Sequence, residues 1–248
     1  MKPNHMKTLG TKALLVLAFF VIGSAGAWAE EFKADLSGLS EPQRIEAILS
    51  RVAKVQREAR TIHAEFTMEK KMSLLASPVK AEGILCVTKP DKVYWEVKEP
   101  IANTLIINGG TLWIHYPTLR QVDKVDVSGK QRLLMRYLGM DENGAVIKEN
   151  YRIQLLGNSD EKGIYLLEFL PKNSRLTKRI ARAKIWVNSQ TWFPSRFDLW
   201  EPNGDYSCIK LRNAKLNKPI QDSIYEFRPP KGTVVNEPLK TSAPRSEK

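Results

Sequence analysis

Residues 40–69, SEPQRIEAILSRVAKVQREARTIHAEFTME, change their hydrophobic period part-way along, and that change decides the fold. Up to Arg60, the apolar residues Ile45, Ile48, Leu49, Val52, Val55 and Ala59 recur at helical spacing, and Ser40 with Gln43 forms a capping-box signature at the start. A helix over 40–60 with one apolar face has to lie on something. From Ala64 the period becomes two. Ala64, Phe66 and Met68 point one way while Glu65, Thr67 and Glu69 point the other, the pattern of a strand with one buried face.

Toward the C-terminus the same rhythm returns at about 83–88, 93–97, 104–108, 111–116 and 120–126, with Asn108-Gly109-Gly110 as a hairpin turn signal. It resumes at about 151–156, 164–170, 181–187, 196–200, 206–214 and 225–227. Up to a dozen strands joined by short turns, with no alternation of strand and helix, predict a mainly β chain of α+β class. An antiparallel meander curled into a barrel or half-barrel satisfies such a pattern. Residues 132–140 break the rhythm and read as a short helix or lid whose apolar side is Leu133, Leu134, Tyr137 and Leu138.

Toward the N-terminus, Lys2, Lys7 and Lys12 accompany an apolar run at 13–22 and small residues leading to Ala27-Trp28-Ala29, the shape of a secretory signal peptide. The run is too short to anchor a protein across a bilayer. Glu30 stands after the cleavage point, where a lipoprotein would carry Cys. The expectation is a cleaved signal peptide over 1–29, one domain over 30–236 and a polar, flexible tail over 237–248, giving a soluble monomer in a bacterial periplasm.

The formal net charge of +12 drops to +9 without the three lysines of the leader, and a dense basic patch, Lys172, Arg175, Lys178, Arg179, Arg182 and Lys184, lies at 172–184. Export argues against nucleic acid as the partner of this charge. An anionic membrane surface, an acidic protein or a merely solvated face remain. Cys86 and Cys208 fall in strand-like runs far apart and read either as a disulfide or as two small wall residues.

Catalytic equipment is sparse. Beyond the leader there are two histidines, His63 and His115, and the chain has no Gly-x-Ser-x-Gly elbow, phosphate-cradling glycine loop or His-Glu-x-x-His. Neither an enzyme nor a cofactor or metal is expected. Aromatic surface on a β scaffold is plentiful, including Trp95, Trp113, Trp186, Trp192 and Trp200. Such a scaffold can be a solid core or can enclose a ligand cavity. Strand alternation puts Phe66 and Met68, Leu85 and Val87, Val93 and Trp95, Leu105 and Ile107, Leu112 and Ile114, and Phe197 and Leu199 forward as lining positions.

Several pieces taken in order resemble the LolA family of periplasmic outer-membrane lipoprotein carriers. They are Ile62-His63-Ala64-Glu65-Phe66-Thr67, Gly83-Ile84-Leu85-Cys86-Val87-Thr88-Lys89-Pro90, Val93-Tyr94-Trp95 followed by Pro100, and Asn108-Gly109-Gly110-Thr111-Leu112-Trp113. Tyr225-Glu226-Phe227-Arg228-Pro229-Pro230-Lys231-Gly232 is similar to the family's closing strand and turn. The resemblance implies an incomplete antiparallel β-barrel with a lid of short α-helices enclosing an apolar cavity for acyl chains. It also implies acylated lipoprotein or lipid cargo, an inner-membrane ATP-driven release complex that loads the carrier, and an outer-membrane acceptor lipoprotein that unloads it. The family's strand-end Arg-Pro is Lys89-Pro90 here, so Lys89 takes the place of the lid latch, with a point charge instead of a planar fork. The alternative of another class is a periplasmic sensor of the same fold. A lipid-processing hydrolase would need a nucleophile and base that the sequence does not offer.

Overall fold

The computed structural model describes residues 36–129, 145–157 and 163–237. Helix α1 (Glu41–Glu58) begins at the predicted capping box. Gln43 Oε1 accepts from the Ser40 backbone N–H at 3.0 Å and from the Ser40 hydroxyl at 2.8 Å, and Pro42 sits in the first turn, where a missing N–H costs nothing. Its apolar stripe, with Ile48, Leu49 and Val52, is buried in the same core as the sheet.

Two meanders follow. β1 (Thr61–Lys71), β2 (Val79–Thr88), β3 (Lys92–Glu99), β4 (Asn103–Asn108), β5 (Thr111–Tyr116) and β6 (Gln121–Asp126) form the first. β7 (Tyr151–Leu156), β8 (Ile164–Pro171), β9 (Arg182–Asn188), β10 (Pro194–Trp200) and β11 (Tyr206–Leu216) form the second. β1 pairs antiparallel with β11 and fuses the two. With β12 (Val234–Asn236) the result is a twelve-stranded sheet whose order, β12-β6-β5-β4-β3-β2-β1-β11-β10-β9-β8-β7, leaves β12 and β7 as edges. It is an incomplete barrel with few, short helices.

Three details depart from the sequence expectation. β12 pairs parallel with β6, so the sheet is not wholly antiparallel. The strand expected at 225–227 is absent. The chain instead makes a tight turn at Asp222–Tyr225 that buries Tyr225, with its hydroxyl 2.9 Å from that of Thr88, and Pro229 and Pro230 have no N–H to give a ladder. Two short helices, α2 (Ala145–Asn150) and α3 (Ser174–Thr177), were not foreseen, since elements this brief leave no period to read.

Gly83 shows how close the packing is. It lies opposite Phe66, where an added Cβ would fall 1.7 Å from the Glu96 carbonyl oxygen and 2.6 Å from the Phe66 ring. The glycine lets that ring lie flat over β2 and stack on Trp95 with centroids 4.2 Å apart. Cys86 and Cys208 are both free and buried. They align with His63 and Glu69 on β1, six residues or roughly 20 Å apart, beyond any disulfide's reach.

Candidate functional site

Register shows which side chains share a face, because residues directly opposite across a ladder point the same way. Ala64, Leu85, Trp95, Leu105 and Ile114 form one cross-strand row, and Ile62, Val87, Val93, Ile107 and Leu112 form the next. Phe66 pairs with Leu211, while Met68 pairs with Ile209, which in turn faces Phe197. Leu199 lies two residues further along β10. All twelve positions suggested by alternation therefore lie on one face of the sheet, and all but the half-buried Ile114 are buried.

The second meander contributes as much to this face as the first. Leu167, Phe169, Ile185 and Val187 belong to the same core, although sequence reading did not single them out. The signal differs between the two strands: 181–187 alternates, whereas 164–170, IYLLEFL, is almost continuously apolar, so alternation alone does not choose its inner face. From the second meander, strand alternation puts forward Phe197 and Leu199 alone.

α1 covers the face and is held by polar contacts along its length. Glu41 Oε1 accepts from the Leu155 N–H at 3.3 Å, Glu46 pairs with Lys148, and the Arg51 guanidinium sits 4.5 Å over the Trp192 ring. These contacts tie the helix to the second meander. At the other end the Lys89 ammonium donates to the Gln56 carbonyl at 2.5 Å, and the Lys89 N–H donates to the Arg60 carbonyl at 2.9 Å. Gln56 lies in the last turn of α1, where carbonyls have lost their helical donors and carry partial negative charge. Lys89 thus leaves the end of β2 to meet a helix C-terminus. Leu133, Leu134, Tyr137 and Leu138 lie outside the described residues.

The opposite face is built differently. Arg196 grips Asp198 with two hydrogen bonds of 2.7 and 2.6 Å, and the Tyr206 hydroxyl donates to the same carboxylate at 2.8 Å. Asp198 is only 3% exposed, so its charge depends on these partners. The Asp198 contact raises the Arg196 pKa further, and burial, reinforced by that carboxylate, raises Tyr206. Burial likewise pushes the Cys208 thiol up to about 11. A groove of about 530 Å³ runs beside this cluster and is lined by long polar chains such as Glu69, Lys80, Glu82 and Lys210, which do not suit an acyl chain. Among the described residues no group of three His, Cys, Asp or Glu side chains could hold a metal ion.

A family model described as outer membrane lipoprotein carrier protein LolA matches residues 57–228. The chain belongs to the LolA family. This is a family of binding and transport proteins, not of enzymes. Among curated relatives, an outer-membrane lipoprotein carrier protein of Proteus mirabilis is 26% identical over 224 residues, covering 90% of this chain and 96% of that one. The corresponding protein of Serratia proteamaculans is 26% identical over 191 residues, covering 76% and 85%. A solved structure of an uncharacterized conserved protein from Thermus thermophilus superposes with a TM-score of 0.52 at 13% identity, covering 79% of this chain and 99% of that one, and shows a shared fold alone.

Proposed function

We propose that this chain is a periplasmic carrier that holds the acyl chains of lipoproteins, or of another acylated lipid, against the inner face of its sheet and shuttles them from inner to outer membrane. In this reading residues 1–29 are removed on export, 30–236 form the carrier domain, and 237–248 are a tail. An inner-membrane ATP-driven complex loads the carrier and an outer-membrane acceptor lipoprotein unloads it. The observation that supports the reading best is the unbroken apolar face spanning both meanders beneath a single polar-tethered helix.

The energetics fit a carrier. Burying a CH₂ is worth about 0.8 kcal/mol, so a chain of about fifteen methylenes resists entering water by on the order of 12 kcal/mol. An apolar face exposed by lifting α1 takes over much of that cost. The tethers of α1 are weak ones, since an exposed ion pair such as Glu46–Lys148 contributes about 1 kcal/mol or less. Closing the helix back over the empty face regains apolar burial and helps to drive cargo out. Nothing among the described residues favours the sensor alternative over the carrier.

Delipidated protein should bind a fluorescent fatty-acid probe one-to-one while still unfolding cooperatively. Binding that appears only after tertiary structure is lost would report exposed core and end the proposal. In this reading Lys89 is the latch. Probe access to the empty protein should then rank Lys89→Leu above wild type above Lys89→Arg, with cargo release slowest in the Leu variant and exchange of the α1 amides in the same order. Native mass spectrometry of protein taken from its own periplasm would give the mass of the cargo.

A further inference from the structure

One end of the sheet is unlike the other. The register places the turns at 72–78, 100–102, 117–120, 172–181 and 201–205 together at this end, along with the start of β12. Of the six large apolar side chains that stand exposed among the described residues, five are here: Leu74, Leu75, Leu119, Val234 and Val235. Leu74, at the tip of the β1–β2 hairpin, is 90% exposed.

That tip is held in place. Asp205, in the β10–β11 turn, is buried, and its Oδ1 accepts from the Ser73 N–H at 2.9 Å and from the Ser73 hydroxyl at 3.2 Å. The Leu75 N–H closes the turn on the Met72 carbonyl at 2.9 Å. A buried carboxylate is thus spent on fixing a turn whose next two side chains face water. Pre-ordering a loop removes entropy that would otherwise be lost on docking.

The surroundings are basic. Lys71, exposed, ends β1 beside the tip, and Lys172, Arg175, Lys178 and Arg179 stand exposed on the connection that contains α3. Arg182 lies 4.1 Å over the half-buried ring of Trp200 at the same end. Apolar wedge, exposed cations and an indole beside them are the three ingredients that a bilayer interface rewards. An acidic protein surface would meet the cations but leave two leucines in water.

We propose that this end of the sheet is a reversible docking surface for a bilayer containing anionic phospholipid, with Leu74 and Leu75 dipping into the acyl boundary and the 172–182 cations resting on the headgroups. Docking would bring the carrier to either membrane before any protein partner is met, and it does not depend on what the inner face carries.

The test is sedimentation of the purified full chain with vesicles of one part phosphatidylglycerol to three parts phosphatidylcholine, and with phosphatidylcholine alone. Binding is expected to the anionic vesicles at low ionic strength, to weaken with salt, and to fall at least roughly tenfold in a Leu74→Asp, Leu75→Asp variant and in an Arg175→Glu, Arg179→Glu variant. Each variant should keep wild-type melting and probe binding, because the altered side chains are exposed. Leu74→Trp gives an independent reading: its emission should shift to the blue on anionic vesicles and be quenched by brominated acyl chains. No retention on anionic vesicles, retention unaffected by the leucine changes, or an unshifted Leu74→Trp would overturn the proposal. So would variants that bind vesicles normally yet lose transfer to an isolated membrane protein, since the end would then be a protein dock. Loss of fatty-acid binding in wild type with vesicle docking intact would break the carrier reading and leave this one standing.

Discussion

β10 and β11 present two opposite solutions on their two faces. Inward, Phe197, Leu199, Ile209 and Leu211 pack among other apolar side chains, and each contact could be made by another residue of similar volume. Outward, Asp198 is held by Arg196 and Tyr206, through hydrogen bonds of fixed direction. Under the proposed function, non-directional contact suits a surface that accepts chains of varied length and closes again afterwards. Directional contact suits a part that would keep its register if α1 lifted, as that proposal requires. In the proposed carrier, the difference teaches that the sheet can be adaptable on the side that would meet cargo because it is fixed on the side that would not.

The largest effect should come from the adaptable side. Trp95 is buried at the centre of the inner face and stacks on Phe66. We expect Trp95→Ala to cost about 3–5 kcal/mol in urea unfolding and to weaken fatty-acid binding as well. A variant that lost stability but bound the probe as wild type would separate core from cargo surface and break the comparison.

On the fixed side, Arg196→Met strands the Asp198 carboxylate away from water. The expected loss is about 3 kcal/mol, and the double variant Arg196→Met, Asp198→Leu should recover much of it, because removing both charges is far milder than removing one. Probe affinity should stay at the wild-type value in both variants, since neither side chain reaches the inner face. Equal losses in the single and double variants would mean that the network does not act as a unit.

Thiol chemistry sharpens the same contrast at smaller energetic stake. Burial raises the pKa of Cys86, and Cys208 is pushed up to about 11, so both are protonated thiols inside the wall. Ellman's reagent at neutral pH should find almost no reactive thiol in native protein and two after denaturation without reductant. A single or absent reactive thiol in the unfolded chain would contradict two separate, free cysteines.

How much of this was legible follows from which signals are local. Alternation within 61–71 and 79–88 reports directly which side chains share a face, so the inner-face rows could be assigned before any register was known. The Ser40–Gln43 box and the Asn108-Gly109-Gly110 turn were readable because each lies within a few residues, and β4 and β5 do meet at Asn108 and Thr111. What was not legible depends on partners far away in sequence. The β1–β11 pairing joins residues about 150 apart, β12 finds β6 across more than a hundred, and neither leaves a trace in local pattern. Lys89 was singled out by the resemblance, since Lys89-Pro90 takes the place of the family's strand-end Arg-Pro. Its meeting with Gln56 needed the position of α1, and the acid–base cluster of Arg196, Asp198 and Tyr206 needed the turn that brings Tyr206 back.

The smallest effect concerns acid, and it again divides the molecule. His115, on β5 beside Phe227, has its pKa lowered from 6.5 by burial. The unfolded chain takes up that proton first, so the stability involved is complete above about 6.5 and is lost as the pH falls from there toward the lower folded value. Asp205 titrates in a separate window. Burial opposes its charge, but the Ser73 N–H and hydroxyl, the Asn203 side chain and the nearby Lys70 outweigh burial and leave its pKa below 3.8. Its contribution is therefore present above about 3.8 and disappears as the pH falls through the folded value. Melting temperature against pH should show two acid-side declines. His115→Gln should remove the one that begins near 6.5 and Asp205→Asn the one that begins near 3.8. Only the Asp205 change should also loosen the 72–78 turn, seen as faster exchange of the Ser73 and Leu75 amides, because only that carboxylate holds the hairpin tip in place. If the two declines did not separate between the variants, other groups would govern acid stability and the tip would be held by something other than Asp205.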